Sequence, residues 1–298
     1  MGTGGKVPRV SPDAAQQLNL DSTPFESVEA VVNGDKETFN LRSATEYYDD
    51  LRRVVEFIRQ QGSILAVYPR TNDLPAASVL HDLGCIVMQA SRGMNTPLAM
   101  SLWLPACNWG FKPSLLSLIW LLVRSGVYNA GPDFKGVERR FQALVKTKTD
   151  PIAMAIEGEV LYRKGDFVRA EEILRAAMEN HNSKSSLVNW EPNCQLTLGK
   201  TLAMRKKRDE AAAILQKLSD EGYIEADLEL GKILRHVNAN EALKYLYKAG
   251  CTGALQAFEE MAVMELERAA AAKNPSEAAE HRRWAAEYSR LADRRAEF

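Results

Sequence analysis

With 298 residues, a net charge of −1, 46% apolar and 26% charged residues, the chain can bury a real core as one elongated or two compact domains. The balanced charge weighs against a dedicated, sequence-blind nucleic-acid binder, which needs a visible basic excess. Cys85, Cys107, Cys194 and Cys251 lie far apart with no CxxC pair, which excludes a clustered zinc site and a dense disulfide scaffold and points to reduced, mostly buried thiols.

The chain opens "MGTGGKVPRVSPDAAQQLNL", with neither an apolar signal core nor an Arg-rich amphipathic transit pattern. The "MGTGG" start is also compatible with a vector-derived leader, which would leave a removed targeting peptide invisible. Residues 1–42 are rich in Gly, Pro, Ser and Asp and predict an extended, poorly ordered arm. Order is expected from "SATEYYDDLRRVVEFIRQQG". There Ser43 and Glu46 form a capping box, Tyr47, Leu51, Val54, Val55 and Ile58 mark one helical face, and Gly62 is the stop. "ILAVYPR" (Ile64 to Arg70) has a strand-like composition but no strong partner strand, so a buried connection is expected.

Every later segment reads as helix. Val79, Leu80, Leu83, Ile86 and Val87 form a stripe. "TPLAMSLWLPAC" opens with Thr96 as cap and Pro97 at the first helical position, where its missing N–H costs nothing. The most apolar segment, Ser114 to Gly126, is too short before Arg124 to span a bilayer. Residues 43–149 thus form a region of degenerate helix hairpins, and Asp150-Pro151 repeats the cap-plus-proline signature at the start of a third region, 150–298.

In that region small residues recur at fixed intervals. Gly158, Ala170 and Ala177 are spaced twelve and seven; Gly199, Ala211 and Leu218 repeat both steps; Gly231, Ala242 and Ala249 follow at eleven and seven. Self-similarity of this kind signals stacked helix hairpins, and small residues let the backbones approach closely.

Gly158, Leu161, Tyr162, Gly165, Phe167, Ala170, Leu174 and Ala177 resemble the tetratricopeptide repeat, with Glu157 departing from its pattern. Leu198, Gly199, Leu202, Ala211 and Leu215 form a weaker copy in which Lys206 and Arg208 replace the usual turn glycine and aromatic. "GYIEADLELG" followed by "NEALKYLYKAGCTGA" resembles the Sel-one-like repeat. The matches cover about residues 150 to 262; a spacing of 41 between the first two units makes "HNSKSSLVN" an inserted loop. Ser114 to Pro151 has a faint pentatricopeptide look. The resemblance implies an all-α, right-handed solenoid with a concave groove, closed by C-terminal capping helices, and a scaffold role without chemistry.

Carried over by position, the groove residues are Glu159, Tyr162, Arg163, Lys200, Met204, Lys232 and Arg235, with Ala155, Leu196 and Leu228 beside them. Members that clamp the terminal carboxylate of chaperone peptides need Lys and Asn where Ala155 and Glu159 stand here, so a chaperone-tail cochaperone is disfavoured. The remaining mixture suits an acidic or amphipathic segment of a partner protein.

No catalytic pattern is present. His81, His181, His236 and His281 stand alone without HExxH or HxH, and there is no GxSxG. "GTGG" and "GVYNAGPDFKG" lack a strand-to-helix phosphate-binding context. Glu171-Glu172 and Glu259-Glu260 read as solvated faces, and "MRKKRDE" as a solvated turn. Trp284, Tyr288 and Leu291 are expected to cap an apolar end, and Leu102 to Trp120 to be core. The expectation is a non-enzymatic adaptor or assembly factor without catalytic residues, cofactor, metal or transmembrane segment, in the cytoplasm or the mitochondrial matrix. The rival is an RNA-binding helical-repeat protein of organellar RNA metabolism or translation.

Overall fold

The computed structural model describes residues 14–63, 70, 74–180 and 190–293, and those residues fold into fifteen helices with no strand among them. Contacts divide the chain into two units, with the break at Ile156/Glu157 inside one helix.

The first unit contains α1 (Ala14–Gln17), α2 (Phe25–Gly34), α3 (Ala44–Gln61), α4 (Ala77–Ala90), α5 (Thr96–Asn108), α6 (Lys112–Arg124), α7 (Lys135–Thr147) and the start of α8 (Pro151–Arg163). Residues 14–42, expected to be an extended arm, instead carry α1 and α2. Val28, Val32 and Phe39 are buried, and α2 packs on α3 and α4. Local composition misled here because tertiary burial, rather than propensity, holds so short a helix.

α3 begins and ends as its sequence predicts. The Glu46 carboxylate accepts from the Ser43 N–H at 2.8 Å, the Ser43 hydroxyl accepts from the Glu46 N–H at 3.3 Å, and Gly62 takes φ +70°. Its stripe from Tyr47 to Ile58 is buried, as is the α4 stripe from Val79 to Val87. α5 starts one residue earlier than expected: Asn95 is its cap and makes no side-chain cap bond, and Thr96 is already helical. α8 starts as expected, with the Asp150 carboxylate accepting from the Ala153 N–H at 2.9 Å. The aromatic-rich stretch is core only in part: Trp103 is buried, while Trp109, Phe111 and Trp120 are half-buried and Lys112 is exposed. Trp103 covers Gly84 so closely that a Cβ there would lie 2.2 Å from its indole nitrogen, and that indole N–H donates to the His81 carbonyl at 3.0 Å.

The second unit takes the rest of α8, then α9 (Phe167–Glu179), α10 (Trp190–Met204), α11 (Arg208–Asp220), α12 (Ile224–Leu234), α13 (Ala239–Cys251), α14 (Leu255–Ala271) and α15 (Pro275–Ala292). From α9 onward each helix packs on the next, and α12 also touches α10 and α14. Three hairpins close with one contact. Leu174 lies on Gly158, Leu215 on Gly199 and Leu246 on Gly231, where an added Cβ would come within 2.4, 2.8 and 2.5 Å of the leucine. Ala170, Ala177, Ala211, Leu218, Ala242 and Ala249 are fully buried around these contacts. The glycine that opens each interval is therefore a point where one helix seats a leucine on the backbone of its neighbour.

The turn between α8 and α9 uses Gly165 at φ +81°. The next turn places Lys206 at φ +62° in the equivalent position, so the backbone conformation is retained where the glycine is not. At the far end Tyr288 and Leu291 pack on the α12–α14 core, while Trp284 stacks on Tyr288 at 6.0 Å and stays half exposed. Residues 64–69 and the "HNSKSSLVN" segment lie outside the described residues.

Candidate protein-binding surface

The first helices of the three hairpins, α8, α10 and α12, carry the predicted groove residues. Tyr162 of α8 packs its ring against Phe167 at 5.7 Å. Burial first, and then the nearby Glu229 charge from α12, raise its hydroxyl above the usual range against the pull of Arg163.

Most charges on this surface are already committed within the chain. Glu159 accepts from Arg163 at 2.9 Å, and Glu229 accepts from Lys232 at 3.1 Å. Arg235 donates to Glu260 at 3.0 Å and to Glu267, both on α14, so it fastens α12 to α14. Lys200 is half-buried and makes no hydrogen bond or ion pair among the described residues; Met204 is 56% exposed. Ala155, Leu196 and Leu228 are buried and therefore belong to the packing beneath the surface. Lys200 and Met204 on α10 remain accessible, with Tyr162 partly so.

Two expectations about solvated acids need correction. Glu171 is buried and accepts from Arg175 at 2.9 Å, from Lys207 at 2.8 Å and from Arg205. Burial pushes its carboxyl up, but the hydrogen bonds from Lys207 and Arg175 and the Arg205 charge outweigh that and hold it at about 2. The Arg205 and Lys207 of "MRKKRDE" are thus internal ties between α9 and the α10–α11 turn, while Glu172 is exposed. Likewise Glu260 holds Arg235 and only Glu259 is a solvated acid. Sequence could have flagged Glu171, because it falls one residue after Ala170 and so lies beside the buried face of α9.

A second internal site escaped sequence reasoning entirely. Asp227 of α12 is buried; its carboxylate accepts from the Ser219 hydroxyl at 2.5 Å and from Lys248 at 3.0 Å. It ties α11, α12 and α13 together.

In the first unit His81 contacts Cys85 (Sγ to Nε2, 3.6 Å) and the Ser114 hydroxyl (3.3 Å). Burial drives the His81 imidazole down to about 4 and the Cys85 thiol up to about 12, so both are neutral at pH 7. That is the reverse of an activated thiolate–imidazolium pair. Of the remaining histidines, His281 meets the buried Glu265 at 2.6 Å, and His236 is exposed; His181 lies outside the described residues. Cys107 and Cys194 are buried as expected, but Cys251 is exposed.

The described residues define an all-α protein whose second unit is a run of consecutively packed helix hairpins. None of their helices is long and apolar enough to cross a membrane. No protein-family model matches the chain, and no curated protein matches it significantly.

Proposed function

We propose that the chain is a non-enzymatic adaptor or assembly factor of the tetratricopeptide and Sel-one-like class, its hairpins wound as a right-handed solenoid. The supporting observation is the threefold recurrence of leucine on helical glycine at Gly158, Gly199 and Gly231. Such hairpins align their first helices side by side, and this surface offers a partner the uncommitted ammonium of Lys200, the thioether of Met204 and the edge of Tyr162. An amphipathic helix or extended segment bearing an acidic group complements that set. The test is affinity capture with mass spectrometry, with and without nuclease, on the wild type and on Lys200→Glu with Met204→Asp. A nuclease-resistant partner lost on the variant, with the melting curve unchanged, is the expected result. Partners that all vanish with nuclease overturn it.

A second reading, an RNA-binding helical-repeat protein, draws on α7. Lys135, Arg139 and Lys146 lie along its exposed face, followed by Lys148, and none makes an ion pair among the described residues. Phosphate binding there would weaken with salt by a log–log slope of about −2 for three neutralised charges. Retention of a labelled single-stranded RNA by the wild type, and its loss on Lys135→Glu/Arg139→Glu, favours this reading over the first.

A further inference from the structure

In the second unit, charge is segregated at the hairpin turns. Residues 163–166, 204–208, 235–238 and 272–275 form or flank the turns α8–α9, α10–α11, α12–α13 and α14–α15. Together they hold eight Lys and Arg against a single acid, Asp166, in a chain whose net charge is −1. Cross-ties set these turns side by side. Glu171, near the start of α9, accepts from Arg205 and Lys207 of the α10–α11 turn. Tyr245 donates to Gln216 at 2.5 Å and Lys248 to the Ser219 carbonyl at 3.3 Å, both 29 residues apart, so α11 and α13 run parallel and Arg208 lies level with Val237. Arg268, near the end of α14, donates to Asn240 at the start of α13 at 3.1 Å, which brings the last two turns together.

Half of the eight cations are held inside the chain: Arg163 by Glu159, Arg205 and Lys207 by Glu171, and Arg235 by Glu260 and Glu267. The other four, Lys164, Lys206, Arg208 and Lys273, are exposed and make no side-chain ion pair or hydrogen bond among the described residues. Each of the first, second and fourth turns contributes at least one. The neighbouring acids Asp209, Glu210, Glu241 and Glu277 sit in the first turns of α11, α13 and α15, where they offset the positive helix ends, and Glu210 is also held by Arg175. Among the free cations stand exposed apolar side chains: Val168 at 52%, Met204 at 56% and Val237 at 71%.

We propose that this edge of turns docks on an anionic lipid bilayer, the lysines and arginine at the headgroups and the valines and methionine dipping between them. Packed helices stand about 10 Å apart, so four successive turns form a row of roughly 30 Å. Turn tips project from the hairpin ends, and a partner that meets all of them at once has to be flat and extended. Cations interspersed with short apolar side chains match an anionic membrane interface. No Phe, Tyr or Trp stands among the exposed residues of the turns to stack a base, which separates this edge from a single-strand nucleic-acid site. The edge shares only Met204 with the partner surface of the first helices. The charge variants below leave Met204 alone, so the two readings fail separately.

The experiment is co-sedimentation of the full chain with vesicles of phosphatidylcholine alone or mixed equally with phosphatidylglycerol, with circular dichroism confirming the fold of each variant. The wild type is expected on the anionic vesicles only, and to be released as salt is raised. A surface cation near such a bilayer is worth about fivefold in partitioning, so Lys164→Ala and Lys273→Ala should each weaken it by about that factor. Lys206→Gly with Arg208→Ala should weaken it at least tenfold; the glycine suits the φ of +62° there, so charge is lost without backbone strain. Val237→Ser should weaken it several-fold, and Lys135→Ala with Arg139→Ala, on α7, should leave it unchanged. No binding to anionic vesicles overturns the proposal. So does equal binding to neutral ones, an effect confined to a single turn, or a loss on the α7 variant as large as on the turn variants. Vesicles ignored while poly-glutamate or single-stranded RNA is held through these same turns also overturn it.

Discussion

Leu174 rests directly on the backbone of Gly158, where a Cβ would lie 2.4 Å from its Cδ2 atom. Helix propensity alone favours Gly→Ala by up to about 1 kcal/mol, whereas forcing a methyl into a packed contact costs about 1–3 kcal/mol. Packing wins at this site. Gly158→Ala should lose about 1–2 kcal/mol in urea unfolding, and Leu174→Ala in that background should cost far less than in the wild type. Gly136→Ala, on α7 with nothing within 4 Å of its Cβ position, should be neutral or slightly stabilising. Equal effects at both glycines would contradict the close-contact account.

Lys206 holds φ +62° in the turn between α10 and α11. An L-residue pays roughly 1–2 kcal/mol there, part of which glycine returns as unfolded-state entropy. Lys206→Gly should therefore raise stability by about 0.5–1 kcal/mol, and Gly165→Ala in the preceding turn should lower it by about 1 kcal/mol. Thermal midpoints moving in opposite directions are the readout.

Glu171 has its carboxyl lowered from 4.5 to about 2 in the folded chain. A depressed acid contributes stability that is present above its unfolded value and is lost as pH falls from about 4.5 toward 2. The full shift would correspond to roughly 3 kcal/mol, but its cationic partners are partly exposed and screened, so about 1–2 kcal/mol is expected. Glu171→Gln should show that loss at pH 7. The gap to wild type should close as the pH approaches 2.

Asp82 shifts in the opposite direction. Burial raises it from 3.8 to about 6, while its hydrogen bond from the Tyr47 hydroxyl at 2.7 Å pulls the other way. The folded state therefore holds its proton more tightly, a stabilisation complete below about pH 3.8 and lost as pH rises through 6. After discounting for residual solvent access, Asp82→Asn should gain about 1–2 kcal/mol over wild type at pH 7 and little at pH 4. A constant difference across that range would contradict it.

Arg235 and Lys200 separate structure from binding. Arg235 is tied to Glu260 and Glu267, and its removal leaves two acids facing one another, so Arg235→Ala should cost about 1–2 kcal/mol. Lys200→Ala should change unfolding by less than about 0.5 kcal/mol, since it has no ion-pair or hydrogen-bond partner among the described residues to lose. Chemical denaturation of the two single variants decides this.

Much of the helix pattern could be read locally. Helix starts at Ser43 and Asp150, the stop at Gly62, and the buried stripe of α3 follow from capping chemistry and the 3.6-residue period, which act within a few residues of chain. The spacing of Gly158, Gly199 and Gly231 likewise marks the close hairpins in the sequence itself. What the sequence could not decide was which partner each side chain meets. Glu171 looks like any helical acid until the turn bearing Arg205 and Lys207 folds over it, and Arg235 looks like a groove cation until α14 brings Glu260 and Glu267 to it. Residues 14–42 look like an arm until α3 and α4 offer Val28, Val32 and Phe39 a place to be buried. Local signals set backbone conformation because their energies come from near neighbours. Burial and charge pairing come from residues some 20 to 35 positions away, and only the packed chain brings those together.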